Sequence, residues 1–309
     1  MHTPGRFGRK LKHMPSPLRL VLPTLSLGLA AFASAWAQPQ PSGAHTATAQ
    51  FSISADSDLT RGGAPAGEVG VSAFAATWRS SAALTATTRL SYGLNWERFD
   101  FDRAAVVVVP DTLQELSVVL GATHRLNTQW MLTGTIRPGV YGDTEGGGGD
   151  AFNAPLLLLA TWVRSPELAW AFGLRADWFS ERAVIPFIGV NWKFAPGWEF
   201  SLGMPRAGVS YQAGDALKLT LGASVQGGNY HVAEDPRGPA ISSLRVDDTT
   251  LDYHEIRVGL AADWKLNESL TLSAEAGVIT DQKFDYFDRG ITLDGGGIGF
   301  FTLGLNGRF

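Results

Sequence analysis

The sequence contains no cysteine. This excludes disulfide bonds, cysteine-ligated metal sites, a thiol nucleophile and an acylated lipoprotein cysteine. Beyond residue 37 the chain also lacks any run of about 18 consecutive apolar residues, so transmembrane helices are not expected. What it does contain is 36 glycines and 10 tryptophans in a chain that is 45% hydrophobic. This composition is typical of membrane β-barrels, in which only every second strand residue has to be lipophilic.

The first 37 residues have the parts of a secretory signal peptide. They carry five basic residues and no acidic one, followed by an apolar run over 20–32 and an A-W-A pattern ending at Ala37. The apolar run is too short for a membrane anchor, so we expect cleavage near Ala37. Met14 is an alternative start that would give a signal peptide of more usual length.

Removing residues 1–37 leaves one domain over 38–309 with a strongly acidic balance. The full chain has a formal net charge of −4, and loss of five basic residues leaves 20 Lys and Arg against 29 Asp and Glu, or −9. Nucleic-acid binding requires a basic face, so no nucleic-acid partner is predicted.

Apolar and polar residues alternate with a period of two in many segments. The alternation is clearest over residues 255–266. There Ile256, Val258 and Leu260 fall on one face of a strand, and Glu255 and Arg257 fall on the other. A helix would break this pattern, because it places residues of one face three or four positions apart. The segments are therefore predicted to be strands with one face toward lipid and one toward a polar interior.

Counting these segments predicts an all-β, transmembrane, antiparallel up-and-down β-barrel of about fourteen strands. Their approximate centres are residues 53, 73, 90, 119, 135, 159, 174, 189, 200, 209, 224, 258, 276 and 303. Merging the two short strands that meet at 204–205 with their neighbours would give twelve. Tight turns alternate with longer loops, predicted at 58–67, 99–111, 142–151, 232–248 and 285–296, as in bacterial outer-membrane barrels. A soluble periplasmic β-sandwich would not need so many long strands.

The last strand also alternates, with Phe301, Leu303, Leu305 and Phe309 on one face. It resembles the closing strand of bacterial outer-membrane barrels, whose terminal aromatic residue is read by the assembly machinery. This resemblance implies that Phe309 is an assembly signal and that the protein resides in the cell outer membrane. It further implies three kinds of partner: the barrel-assembly machinery, periplasmic chaperones, and outer-membrane lipid including lipopolysaccharide.

A second resemblance lies in the middle of the chain. The segment P-F-I-G-V-N-W over 186–192 echoes P-R-A-G-V-S-Y over 205–211, with L-G-M-P over 202–205 between them. This pattern is similar to that of a family of uncharacterised bacterial outer-membrane barrel domains, and it implies fold and location without a substrate. The strand count is also similar to that of fatty-acid-type transporters, although the short, polar segment 38–50 predicts no plug helix.

Charged residues share the face opposite the lipid and are the candidate site. In a lumen they would either line a water-filled path or pair across strands and fill the interior. Both signs occur in similar number, so strong ion selectivity is not indicated. These residues are Arg89, Glu97, Glu115, Arg125, Arg137, Arg175, Asp177, Glu181, Lys193, Lys218, Glu255, Arg257, Asp263, Lys265, Glu275 and Asp281.

Seven tryptophans lie close to predicted tight turns. An indole ring prefers the membrane interface, so we interpret them as the periplasmic aromatic girdle. Packing in a sandwich core is the alternative interpretation. The seven are Trp78, Trp130, Trp162, Trp170, Trp192, Trp198 and Trp264.

Signals for chemistry are weak, so no catalytic residue, metal or cofactor is predicted. Four histidines remain after residue 37, namely His45, His124, His231 and His254, and none belongs to a metal-binding motif. His231 and His254 flank the longest loop, so they could lie close together. The acidic loops match no calcium-binding spacing, and the G-x-S segments lack the second glycine of a nucleophile motif.

The leading functional hypothesis is a passive channel or small-solute transporter. One alternative is a membrane-embedded lipid hydrolase, which would need a histidine near a serine or an acid at one rim. Another is a closed structural or surface-recognition barrel that acts through its loops. An apolar run over 104–110 lies in a predicted external loop, where it would extend a hairpin or contact a partner.

Overall fold

The computed structural model describes residues 45–143, 149–203, 206–238 and 245–309, so the predicted signal peptide lies outside the described residues. One short 3-10 helix (Gly149–Ala151) accompanies the strands. The strands are β1 (His45–Ser54), β2 (Ser57–Arg61), β3 (Ala64–Ala83), β4 (Thr88–Arg103), β5 (Thr112–Arg125), β6 (Trp130–Ile136), β7 (Gly139–Gly142), β8 (Phe152–Asn153), β9 (Leu156–Ser165), β10 (Leu168–Ala176), β11 (Val184–Ala195), β12 (Trp198–Leu202), β13 (Arg206–Ala213), β14 (Leu217–Val232), β15 (Thr249–Lys265), β16 (Leu270–Tyr286), β17 (Ile291–Gly295) and β18 (Ile298–Arg308).

These strand segments form a closed barrel of fourteen strands. Four barrel strands consist of two consecutive segments each, namely β1 with β2, β6 with β7, β8 with β9, and β17 with β18. Every barrel strand is antiparallel to its two neighbours, and β18 pairs with β1 to close the cylinder. The prediction of an all-β barrel with fourteen strands is confirmed. The twelve-strand alternative is wrong, because β12 and β13 are separate strands that pair from Trp198 with Tyr211 to Ser201 with Gly208.

The barrel has a short-turn end and a long-loop end. Both described chain ends lie at the short-turn end, where the His45 N–H donates to the Phe309 carbonyl at 2.9 Å. Two loops predicted at the other end, 58–67 and 285–296, are mostly strand instead. The first contains only the two-residue turn Gly62–Gly63, with φ of 58° and 85°, and such angles suit a tight hairpin with glycine.

A band of exposed apolar side chains surrounds the outer face. On β15 it runs over 256–264, and on β4 it includes Leu94, which is 52% exposed. Water-soluble monomers rarely expose apolar patches of this extent. The band is therefore interpreted as the lipid-facing belt. Among the helical residues that the structure describes, none belongs to a helix long and apolar enough to cross a membrane.

At the long-loop end the barrel narrows. β7 runs parallel to β14 there, with Gly142 opposite His231 and the Asp143 N–H donating to the His231 carbonyl at 3.1 Å. Five barrel strands lie between β7 and β14 in the wall and take no part in this upper closure. They are the strand made of β8 and β9, and the single strands β10, β11, β12 and β13. The other nine barrel strands therefore close on themselves, and we call this part the upper barrel.

Each of the nine strands contributes buried apolar side chains to one core inside the upper barrel. A barrel of about eight strands is just wide enough to be filled by its own side chains, so a nine-stranded one can be packed solid. Val107 and Val109 of the apolar run over 104–110 are buried in this core, so the run packs inward. The core consists of Leu59, Val69, Val71, Ala73, Phe99, Phe101, Val107, Val109, Leu113, Tyr141, Tyr230, Val232, Val246, Leu251, Tyr253, Phe284, Tyr286, Ile291 and Leu293.

Candidate functional site: the barrel lumen

Below the upper barrel, the lumen contains a layer of buried charged side chains. Glu255 is fully buried and accepts hydrogen bonds from Arg257 at 2.8 Å and from the Tyr253 hydroxyl at 2.6 Å. The Arg257 guanidinium also donates to the Ser52 hydroxyl at 2.8 Å and lies 4.9 Å from the centre of the Phe300 ring. This ion pair therefore links β15 to β1 and β18 across the lumen.

A second buried pair lies on the neighbouring part of the wall. Arg137 and Glu115 approach to 3.3 Å, and both side chains are less than a tenth exposed. Glu115 also accepts hydrogen bonds from the Ser117 hydroxyl at 2.6 Å and from the Tyr141 hydroxyl at 3.2 Å. Glu97, opposite Glu115 in the β4–β5 register, is buried as well.

The third group is centred on Asp177, just beyond β10. Its carboxylate accepts from Arg175 at 2.5 Å, from the Asn153 amide at 2.8 Å and from the Asn229 amide at 2.8 Å. Asn229 lies on β14, so Asp177 ties the end of β10 to the strand that closes the upper barrel. All four side chains are buried.

Together these groups fill the lumen with paired charges of both signs. Burying an ion costs several kcal/mol, and only good pairing and further hydrogen bonds offset that cost. From the sequence, the inward charged residues were expected either to line a water-filled path or to pair and fill the interior. At this height, the described residues form a filled interior.

Toward the short-turn end the inward face is polar and its charged side chains are partly or fully exposed, and we call this region the lower cup. Arg89 donates to the Ser81 hydroxyl at 3.3 Å, and Asp263 accepts from the Ser273 hydroxyl at 2.6 Å. Lys193 and Arg125 are exposed. Lys218 pairs in register with Asp263 on the adjacent strand.

One contact across the lower cup involves Arg206, which was not among the predicted residues. Its guanidinium on β13 forms an ion pair with Glu275 on β16, three barrel strands away. Gly222 and Gly259, paired in register on the intervening strands, carry no side chain that would stand between the two. The alternation could have identified Arg206, because it lies two residues before Gly208 and four before Ser210 and therefore shares their inward face of β13.

Asp281 lies away from the other predicted charges. A register irregularity between Ile256 and Arg257 places Asp281 opposite Ile256, whose side chain belongs to the outer band. There Asp281 lies 3.6 Å from Nε2 of the buried His254, whose Nδ1 lies 3.2 Å from Asp252. The residue is therefore part of a cluster on the outer face of the upper strands.

His231 and His254 are not cross-strand partners. His231 pairs with Thr250 and His254 pairs with Gly227, so four residues separate them along the strand. Among the described residues, no hydrogen bond joins either histidine to a serine. No group of three or more histidine or acidic side chains in the described ranges is placed to hold a metal ion.

The seven predicted girdle tryptophans lie on the outer face near the short-turn end. Trp130, Trp162 and Trp170 share one row across three neighbouring strands, and the first two rings stack at 6.0 Å. Trp198 packs against Tyr211 at 4.7 Å, and Trp78, Trp192 and Trp264 are exposed. Phe309 is also exposed, beside Gly307.

Beyond the band, the Asp235 carboxylate joins the two described parts of the loop between β14 and β15. Asp235 accepts hydrogen bonds from the Arg237 side chain at 2.8 and 2.9 Å and from the backbone N–H groups of Arg237 and Val246, both at 3.0 Å. Burial alone would raise the pKa of Asp235, but these donors outweigh it and lower the pKa to about 2.

We expect this loop to loosen in acid. A carboxylate whose pKa is lowered on folding stabilises the fold above its unfolded pKa near 3.8, and that stabilisation is lost as the pH falls through about 2. Hydrogen exchange, corrected for its intrinsic pH dependence, should show the Val246 amide protected at about pH 5 and much less protected at about pH 2. Asp235→Asn should reduce this protection even at the higher pH, whereas the control Asp247→Asn should not. Equal protection in all three proteins at both pH values would contradict this assignment.

Comparison with known proteins yields one family and several similar structures. The family profile described as "Domain of unknown function (DUF6268)" matches residues 81–293. Among curated proteins nothing matches the chain.

Three solved structures illustrate the structural similarity. The COG4313 outer membrane channel of Pseudomonas putida F1 is 13% identical, with 88% of this chain and 97% of that one covered, at a TM-score of 0.46. The toluene transporter TbuX of Ralstonia pickettii is 7% identical, with coverages of 87% and 90% and a TM-score of 0.42. The translocator domain of the autotransporter NalP of Neisseria meningitidis is 15% identical, with coverages of 89% and 92% and a TM-score of 0.36.

Proposed function

The chain belongs to the family described as a domain of unknown function (DUF6268), and we propose that it is an outer-membrane transporter for small solutes. The lipid-facing band and the alternation of short turns with longer loops support a position in the outer membrane. In that position the short-turn end, with the lower cup, faces the periplasm, and the upper barrel projects outside.

The observation that carries this proposal is the lower cup itself. About eight strands suffice for a barrel whose interior is filled by side chains, so fourteen strands enclose more space than an anchor needs. The inward face of that space is polar and includes unburied charges such as Lys193. A polar space that faces the periplasm suits a molecule passing through the lumen.

The proposal is tested by uptake into intact cells that carry the barrel in the outer membrane. Two probes are compared, a small polar sugar and the apolar fluorophore N-phenyl-1-naphthylamine, which an intact outer membrane excludes. Cells with the barrel should take up one probe faster than cells with an unrelated eight-stranded barrel, which controls for disturbance of the membrane. Unchanged uptake of both probes at verified expression would contradict a transport role.

A surface-recognition role is a second candidate, because hydrogen bonds join the two described sides of one long loop of the upper barrel. The Asp235 hydrogen bonds fix both sides of the loop over 233–248 outside the band. Shortening this loop should then abolish binding of cells to a surface ligand while leaving the barrel folded. No contact among the described residues favours the hydrolase alternative.

A further inference from the structure

The barrel wall is not paired to its full height between β11 and β14. β11 pairs with β10 over 184–192 but with β12 only over 190–195, and β14 pairs with β13 only over 217–224. Among the described residues, the facing edges 184–189 and 225–228 therefore have no partner strand. We call the region between these edges the notch.

Within the part of the chain that the structure describes, no further segment pairs with these two edges. The connection from Leu202 to Arg206 has only three residues, which span about 10 Å when fully extended. The β12–β13 hairpin thus turns back below the upper parts of its neighbours, and the strand ends Leu202 and Arg206 lie at the base of the notch.

The position of Pro186 suits an edge of β11 that has no hydrogen-bonded partner on the β12 side. The Ala183 carbonyl and the Lys193 N–H bond to β10, so residues of odd number exchange hydrogen bonds with that neighbour. Even-numbered residues direct their backbone groups toward β12, and at Pro186 there is no N–H to donate. Proline within sheets is largely confined to such edges.

The notch lies at the height of the lipid-facing band. Val225, on its β14 edge, pairs with Ile256, the first residue of the band on β15. Its rim is apolar on the outside, with Val184 60% exposed, Ile188 53% exposed and Leu202 46% exposed. The unpaired edges therefore face hydrocarbon near the long-loop side of the membrane.

On the inner side the notch leads into the lumen. Phe187 faces inward, with its ring over Gly173, where any side chain would collide with it. Phe187, Ser224 and Gln226 are partly exposed, although the residues that follow on β14, 227–230, are buried. Arg206 lies at the base of the notch, neutralised by Glu275. Because the charged layer fills the lumen at the height of Gln226, a molecule would reach the lower cup at the base of the notch, beside Ser224 and Arg206, without crossing the upper core.

We propose that the notch is a lateral portal through which an uncharged, apolar small molecule passes between the outer leaflet and the lumen. This inference rests on the proposed transport function and specifies its substrate class and route. The upper core closes the axial route, the rim is aliphatic and aromatic, and the charge at the base is paired. A membrane-dissolved apolar solute is the occupant that these features fit.

The absence of cysteine allows a direct test by labelling single introduced thiols. Phe187→Cys places a thiol inside the notch. Leu260→Cys places one on the lipid face. Val119→Cys places one on the buried inward face of β5, which pairs with β4 at Val119 itself and with β6 from Leu120 onward. In vesicles, N-(1-pyrenyl)maleimide should label Phe187→Cys at least about tenfold faster than Val119→Cys, because a thiol behind a paired wall reacts only through local opening. Leu260→Cys should label at least as fast as Phe187→Cys.

Three outcomes would overturn the portal. The first is labelling of Phe187→Cys as slow as that of Val119→Cys, in protein shown to be folded by its heat-dependent gel mobility. The second is pyrene excimer emission from labelled Phe187→Cys, which would place a second copy of the chain at the notch. The third is unchanged uptake of N-phenyl-1-naphthylamine after labelling at position 187, with labelling at position 260 as control. This third result would leave the transport function standing by another route, whereas absence of uptake in the unmodified protein would remove the function itself.

Discussion

Replacing Arg257 with leucine is expected to lower the free energy of unfolding by about 3–5 kcal/mol, because it leaves the fully buried Glu255 without its counter-charge. An Arg257 guanidinium nitrogen lies 2.6 Å from a Glu255 oxygen, and both side chains are buried. The hydrogen bonds from Tyr253 and Gln282 would remain, but neither donor carries a charge. Denaturant unfolding in lipid vesicles, followed by tryptophan fluorescence, measures the loss.

An exposed ion pair on β4 provides the matched control. Arg98 and Asp100 approach to 2.6 Å, with 35% and 48% of their side chains exposed. Because exposed pairs contribute little, Arg98→Leu should cost less than about 1 kcal/mol. The double variant Arg257→Leu with Glu255→Leu should recover most of the lost stability, since no uncompensated charge remains. Equal losses in the Arg257 and Arg98 variants would contradict the buried layer.

Truncating Phe99 to alanine should be about as severe, at about 3–5 kcal/mol, because the cavity would lie in the middle of the upper core. The Phe99 ring is fully buried and packs 5.1 Å from the Tyr253 ring and 6.4 Å from the Phe101 and Tyr230 rings. These residues lie on three different barrel strands. Loss of the ring should therefore weaken the upper barrel as a unit.

The conservative variant Phe99→Leu separates this packing effect from other consequences of substitution. Leucine retains most of the apolar volume, so the expected cost is below about 1.5 kcal/mol. The same unfolding measurement compares the two variants. If alanine and leucine proved equally tolerated, Phe99 would have to lie in a hydrated lumen, and the packed upper core would be wrong.

The strands themselves were predictable from the sequence because alternation is a local signal. All fourteen predicted centres fall within strands, including the short pair at 200 and 209. The upper parts of the strands were missed for a physical reason. On β4, Leu94 and Trp96 face lipid, but beyond them Phe99 and Phe101 face inward while Arg98 faces outward. The apolar phase thus inverts where the strand leaves the membrane, and this inversion is visible in the sequence.

The candidate site was predictable residue by residue but not as an arrangement. Period two places Glu115 and Arg137 on the inward face, yet their contact depends on strand register, which no local pattern specifies. The pairing of β7 with β14 joins strands that are six positions apart in the wall, so it could not be read locally. A register irregularity beside Ile256 moved Asp281 to the other face, since a shift of one residue reverses the direction of the side chains.

Ionic current across a planar lipid bilayer tests most directly whether the lumen is closed at the long-loop end. The nine-stranded upper barrel is packed with apolar side chains, and the layer beneath it is filled with paired charges. The unmodified protein, inserted and shown to be folded, should therefore give no discrete current steps in concentrated potassium chloride. Reproducible steps of uniform size would contradict the closure.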